Sequence, residues 1–118
     1  MTPGVIDDEA RRAFTNGQCH ALALALNEET GWPMVQVGVH GYGGIPRHWM
    51  VETPNGDLLD IKGLSTYEDV ADRWAGDIVS GEPEDAWALY ENGNYRRPEV
   101  ETARTFVPAV LEYVFVSD

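Results

Sequence analysis

Three side-chain types that cooperate in acyl transfer stand along this chain in the order Cys19, His48 and Asp60, and Cys19 is its only cysteine. A thiolate attacks a carbonyl carbon readily. An ordinary thiol needs a neighbouring base to take its proton and later deliver it to the leaving amine. Imidazole does both near neutral pH, and a carboxylate on its other nitrogen fixes the tautomer and steadies the imidazolium. Taken singly, each residue has a commoner explanation: a lone cysteine is usually a small buried apolar group, a strand histidine a satisfied polar contact, a strand aspartate an edge charge. Joint action depends on the elements that carry them.

Cys19 opens the clearest helix, Asn16 to about residue 30, whose alanines and leucines pack nearly all round and predict a buried element ended by Gly31 and Pro33. Thr15 with Gln18 fits a capping box and Asn16 is a good N-cap, so the helix begins at one of the two. Either start leaves Cys19 in the first turn, where unpaired N–H groups and the helix dipole favour the thiolate. The backbone N–H of Cys19 is then a candidate donor to an oxyanion, with the side-chain amide of Gln18 first, or Asn16, as the second. His20 points about 100° away around the helix from Cys19 and reads as a polar contact or surface residue.

His48 to Thr53 and Leu58 to Lys62 flank Pro54-Asn55-Gly56 and read as a hairpin. A three-residue loop suits this sequence, with Pro54 and Asn55 at the centre of a type I turn and Gly56 left-handed. Thr53 then meets Asp57. Trp49, Val51, Leu59 and Ile61 share the apolar face, while His48, Met50, Asp60 and Lys62 take the other. His48 lies diagonal to Asp60, roughly 7 Å away between backbones and within reach of a hydrogen bond. A two-residue turn would instead put Asp60 on the face of Trp49 and Val51, on the other side of the hairpin from His48. His40 is a second candidate base if the strand order differs.

Around these elements, residues 7–14 read as a short amphipathic helix and Val35, Val37 and Val39 as a half-buried strand. Gly41 to Pro46 reads as a flexible loop. Ser65 is expected to cap a helix through about Ala75, and a short strand is expected at Asp77 to Val79. Further helices are expected at Glu84 to Tyr90 and 99–107. Pro108 either kinks the latter or opens another, and 112–116 finishes a helix or forms a last strand. Tyr42, Trp87, Tyr90 and Tyr95 either line a binding surface or fill the C-terminal core.

The 118 residues fit one domain, 1–118, with 43% hydrophobic residues and four tryptophans for a core. Eight basic against 20 acidic residues give a net charge of −12, which argues against direct binding to nucleic acid or an anionic membrane. A single cysteine and no basic-then-apolar leader lead us to expect a reducing, cytoplasmic setting. No metal-ligand spacing or cofactor motif appears, and none is needed for the chemistry above.

Gly17-Gln18-Cys19 opening an Ala/Leu-rich helix, His48-Trp49-Met50-Val51 in a strand and Gly56-Asp57-Leu58-Leu59-Asp60 after a turn resemble the papain-like cysteine hydrolase superfamily, especially its small bacterial and transglutaminase-like members. The resemblance covers about residues 15 to 63. It implies an α+β fold with a cysteine-bearing helix packed on a small antiparallel sheet. Additional C-terminal helices are expected on the Trp49/Val51 face. It departs from the family at Ala13, where papain-like enzymes place an oxyanion-hole glutamine six residues before the nucleophile. The expected activity is cleavage or transfer at an amide or isopeptide bond through a thioester, on a protein or peptide substrate, basic ones included. The competing expectation is a non-enzymatic acidic protein that blocks a basic partner.

Overall fold

The computed structural model describes residues 1–39, 45–74 and 77–115. Among these, six helices and five strands run in the order α1 (Asp8–Ala13), α2 (Cys19–Thr30), β1 (Met34–Val37), β2 (His48–Glu52), β3 (Leu58–Asp60), β4 (Gly63–Ser65), α3 (Tyr67–Trp74), β5 (Ile78–Gly81), α4 (Pro83–Glu91), α5 (Val100–Arg104) and α6 (Val107–Phe115). The strands form an antiparallel sheet in the order β4-β3-β2-β1-β5. The chain is therefore α+β, with α2 laid on β2 and α3 on the opposite face. His40 and residues 41–44 of the expected loop, Tyr42 among them, lie outside the described residues, as do Ala75, Gly76 and Val116.

The β2–β3 hairpin has the register that its turn chemistry and burial pattern predict. Val51 faces Leu59, Glu52 faces Leu58, and the Thr53 N–H donates to the Asp57 carbonyl at 2.8 Å. Gly56 turns the chain at φ +85°, a conformation in which a side chain is strained, and its N–H closes the turn on the Thr53 carbonyl. With the register set, alternation does the rest. Trp49, Val51, Leu59 and Ile61 enter one core with Leu22, Leu24 and Leu26 of α2, Ala103 of α5, Phe106 of the turn that follows, and Val107 and Val110 of α6. Met50 and Leu58 enter a second core with Val35, Val37 and Val70.

Several expectations change. Helix α2 starts at Cys19, because Asn16 and Gln18 send their N–H groups back to the Arg12 and Ala13 carbonyls and thereby extend the end of α1. Neither Thr15 nor Asn16 caps it; Gln18 is the N-cap residue, without a side-chain capping bond. Strand β1 is buried on both faces rather than one, Met34 in the first core and Val35 and Val37 in the second, and it ends before Val39. Ser65 belongs to β4. Thr66 caps α3 instead, accepting the Asp69 N–H at 3.1 Å. The Trp49/Val51 face is covered first by α2, and α5 packs on α2 in turn, while α6 reaches both α2 and β4. Pro108 sits in the first turn of a separate helix, where a missing N–H costs nothing, and the described part of 112–116 is helical.

One close approach limits sequence choice near the site. A Cβ on Gly81 of β5 would fall 2.6 Å from the Trp49 ring, so the edge strand lies tight over the indole.

Candidate active site

Cys19 is the first residue of α2 and is 5% exposed. His48 is the first residue of β2 and is wholly buried. They come from elements on different layers and meet at the end of the sheet where β2 begins. Asp60, the last residue of β3, is 6% exposed and completes the set: the His48 Nε2–H donates to its Oδ2 at 2.8 Å. Its other oxygen, Oδ1, accepts the Lys62 backbone N–H at 2.9 Å, so the carboxylate is held at both ends. The Trp74 indole at the end of α3 stacks on the imidazole with ring centres 4.7 Å apart and 13° between planes, a geometry that favours a positively charged ring.

With Nε2 committed to Asp60, Nδ1 is the ring position that can turn to sulfur. It has no hydrogen-bond partner. Burial alone pushes the Cys19 thiol up, but the neighbouring His20 and His48 rings outweigh it and bring the thiol down to about 6. For His48, burial pulls the imidazole down, whereas its bond to Asp60 and the neighbouring Cys19 sulfur raise it to about 9. The two shifts have the signs of a thiolate–imidazolium pair between those values.

His20 is a correction in part. It makes a polar contact, but it is buried, not on the surface. Its Nε2 bonds the Arg96 carbonyl at 2.9 Å, and its ring meets Tyr95 edge-on at 4.8 Å. A carbonyl only accepts, so Nε2 carries a proton, and the buried Nδ1 has no hydrogen-bond partner. The helix is buried all round, and that alone argues against a surface residue at position 20.

The segment after α4 closes the site from the far end of the chain. The Tyr95 hydroxyl donates a short hydrogen bond to the Pro46 carbonyl; burial, then the charge at Cys19, push that hydroxyl up and keep its proton on. Gln18 faces the same segment, its Nε2 donating to the Arg97 carbonyl at 3.1 Å and its Oε1 accepting the Glu99 N–H at 2.9 Å. Its carbonyl is thus occupied, and one amide N–H remains for another acceptor. Asn16 is exposed and borders a different depression with Arg11, Arg12 and Lys62. A depression of about 230 Å³ beside the thiol is lined by Gly17, Cys19, Arg47, Asn94, Tyr95 and Arg96. Trp87 and Tyr90 lie elsewhere as an exposed edge-on pair, 6.4 Å between centres.

Among the described residues no three His, Cys, Asp or Glu side chains are grouped to hold a metal ion, and no helix is long and apolar enough to cross a membrane. Comparison of the chain with protein-family models, with curated proteins and with solved structures finds no match.

Proposed function

We propose that this chain is a cysteine-dependent hydrolase or acyltransferase acting on amide or isopeptide bonds, with a papain-like arrangement of Cys19, His48 and Asp60. The observation that carries the reading is the buried 2.8 Å bond from His48 to Asp60 beside a thiol brought down to about 6. The Cys19 sulfur, its proton passed to His48, attacks the carbonyl carbon of the substrate. The C–N bond then breaks as His48 returns that proton to the departing amine, and a thioester remains on Cys19. Water, or a second amine, attacks the thioester with His48 again taking a proton, and releases the acid or the new amide. Asp60 holds the ring and its charge throughout. The Cys19 N–H, first in its helix and without an intrahelical acceptor, is the leading oxyanion donor, and the remaining Gln18 N–H is the second. This chemistry calls on no cofactor, takes a protein or peptide substrate and suits a reducing cytoplasmic setting.

The net charge of −12 favours one other reading, a non-enzymatic binder of a basic partner. A panel of peptide amides and isopeptides, assayed for released amine, separates the two. Release by the parent chain and none by Cys19→Ala is expected. Absence of release from both, together with a thiol that titrates at the ordinary value of about 8.5, would sink the enzyme in favour of the binder.

A further inference from the structure

The charge around the thiol runs against the charge of the chain. The chain has eight basic and 20 acidic residues, yet among the described residues the depression beside Cys19 is lined by two bases, Arg47 and Arg96, and by no acid, the others being Gly17, Asn94 and Tyr95. A cleft of one sign in a protein of the other concentrates the opposite charge where it is needed. Arg96 is held in place through its backbone, since its carbonyl takes the His20 Nε2–H and the preceding Tyr95 is tied to Pro46. Its guanidinium makes no ion pair among the described residues. Arg47 immediately precedes His48 and donates from Nη1 to the Trp74 carbonyl at 3.3 Å. That carbonyl belongs to the residue stacked on the catalytic imidazole. At about 230 Å³ the space is smaller than the roughly 300–1,000 Å³ of drug-sized sites and suits a single side chain or chain end.

We propose that this pocket selects an acyl donor bearing a carboxylate close to the scissile amide, with Arg96 as its contact. The proposal rests on the acyl-transfer reading of the site and names its substrate class. The carboxylate is a spectator: it stays ionised on Arg96 while the neighbouring C–N bond is exchanged for the C–S bond of the thioester. An acidic side chain and a chain-terminal carboxylate share this chemistry.

Iodoacetate and iodoacetamide test the preference without a known substrate. In both, sulfur displaces iodide from the same methylene, so the pair differs only in the charge delivered. We expect the iodoacetate-to-iodoacetamide rate ratio at Cys19 to exceed that of glutathione thiolate by about fivefold or more at low salt, and to fall towards it in 1 M salt. Arg96→Gln should remove most of the excess, Arg96→Lys should keep most of it, and Arg73→Gln, on the exposed side of α3, should not change it. Protection from iodoacetamide by N-acetylglutamate amide supports an acidic side chain as the source, and protection by N-acetylglutamine supports a terminal carboxylate. Equal protection by the neutral N-acetylglutamine amide overturns the proposal. A ratio equal to that of glutathione, at a thiol that still alkylates readily near pH 6, overturns the charge preference and leaves the acyl-transfer reading standing. A thiol inert to both reagents overturns the two together.

Discussion

On the α2 side of the sheet, Trp49, Val51, Leu59 and Ile61 share a core of apolar side chains with residues of α1, α2, α4, α5 and α6, with Phe14 and Phe106 in edge-on contact 5.1 Å between centres. On the α3 side, Val35, Val37, Met50 and Leu58 meet Val70 and Trp74, and among them stand His48 and Asp60. The same strands therefore serve two purposes by alternation. One set of residues supplies most of the burial, and the set between them places a buried imidazole and carboxylate on the other face. A buried ionisable pair contributes weakly to net stability and is costly to break. The apolar side keeps the hairpin rigid enough for the other face to hold a 2.8 Å bond.

Asp60→Asn gives the largest expected break in this division. The amide keeps the shape but loses the charge that steadies the imidazolium, so under the proposed acyl-transfer reading turnover should fall by about 10³–10⁴-fold, as for loss of the third member of a triad. The thiol midpoint, read by alkylation against pH, should move up from about 6 as His48 loses its hold on a proton. A variant with full turnover and an unmoved midpoint would show that the α3 side is structural only.

Phe106→Ala tests the other side. Its ring is fully buried against Phe14, and its removal should cost about 3–5 kcal/mol by denaturant unfolding. In the fraction still folded the thiol midpoint should not shift. If stability and midpoint fall together, the two faces are coupled more tightly than their separate packing implies.

The pH dependence of stability sharpens the comparison with a smaller effect. The His48 folded value, about 9, lies above its ordinary value, about 6.5, so its contribution is full below 6.5 and lost as pH rises through about 9. The Cys19 folded value, about 6, lies below its ordinary value, about 8.5, so its contribution is full above 8.5 and lost as pH falls through about 6. The two slopes oppose each other between about 6.5 and 8.5. Melting temperature should be level there and decline on either side. In Cys19→Ala the share of the acid-side decline that belongs to the thiol should disappear, and an unchanged acid limb would show that the thiol does not ionise in the folded chain.

How much of this can be read before folding depends on the distance over which each contact acts. The hairpin register follows from Thr53 to Asp57 alone, because Pro, Asn and Gly dictate the loop and the alternation of Val51 and Leu59 checks it. His48 beside Asp60 comes with that register. The start of α2 does not follow from local capping rules, since the Gln18 amide is drawn to Arg97 and Glu99, about 80 positions on, and α1 retains Thr15 and Asn16. Strand β4 is three residues long with Leu64 exposed, too short to show a period. Tyr95, Arg96 and Trp74 reach the site only through tertiary packing, and nothing in their neighbouring residues marks them.

Gly56→Ala carries the smallest expected effect and tests how firmly the register is set. At φ +85° an alanine is strained, and the substitution should cost about 1 kcal/mol, with no atom within 4 Å to add a clash. Trp49, Val51, Leu59 and Ile61 are buried on one face, so a slip by one residue would expose all of them, far more costly than the strained turn. The hairpin should therefore keep its pairing, and Cys19 should still titrate near 6. If the thiol midpoint rises while the loss of stability stays near 1 kcal/mol, the turn rather than the apolar face is what holds His48 against Asp60, and the division of labour between the two sides of the sheet fails at its hinge.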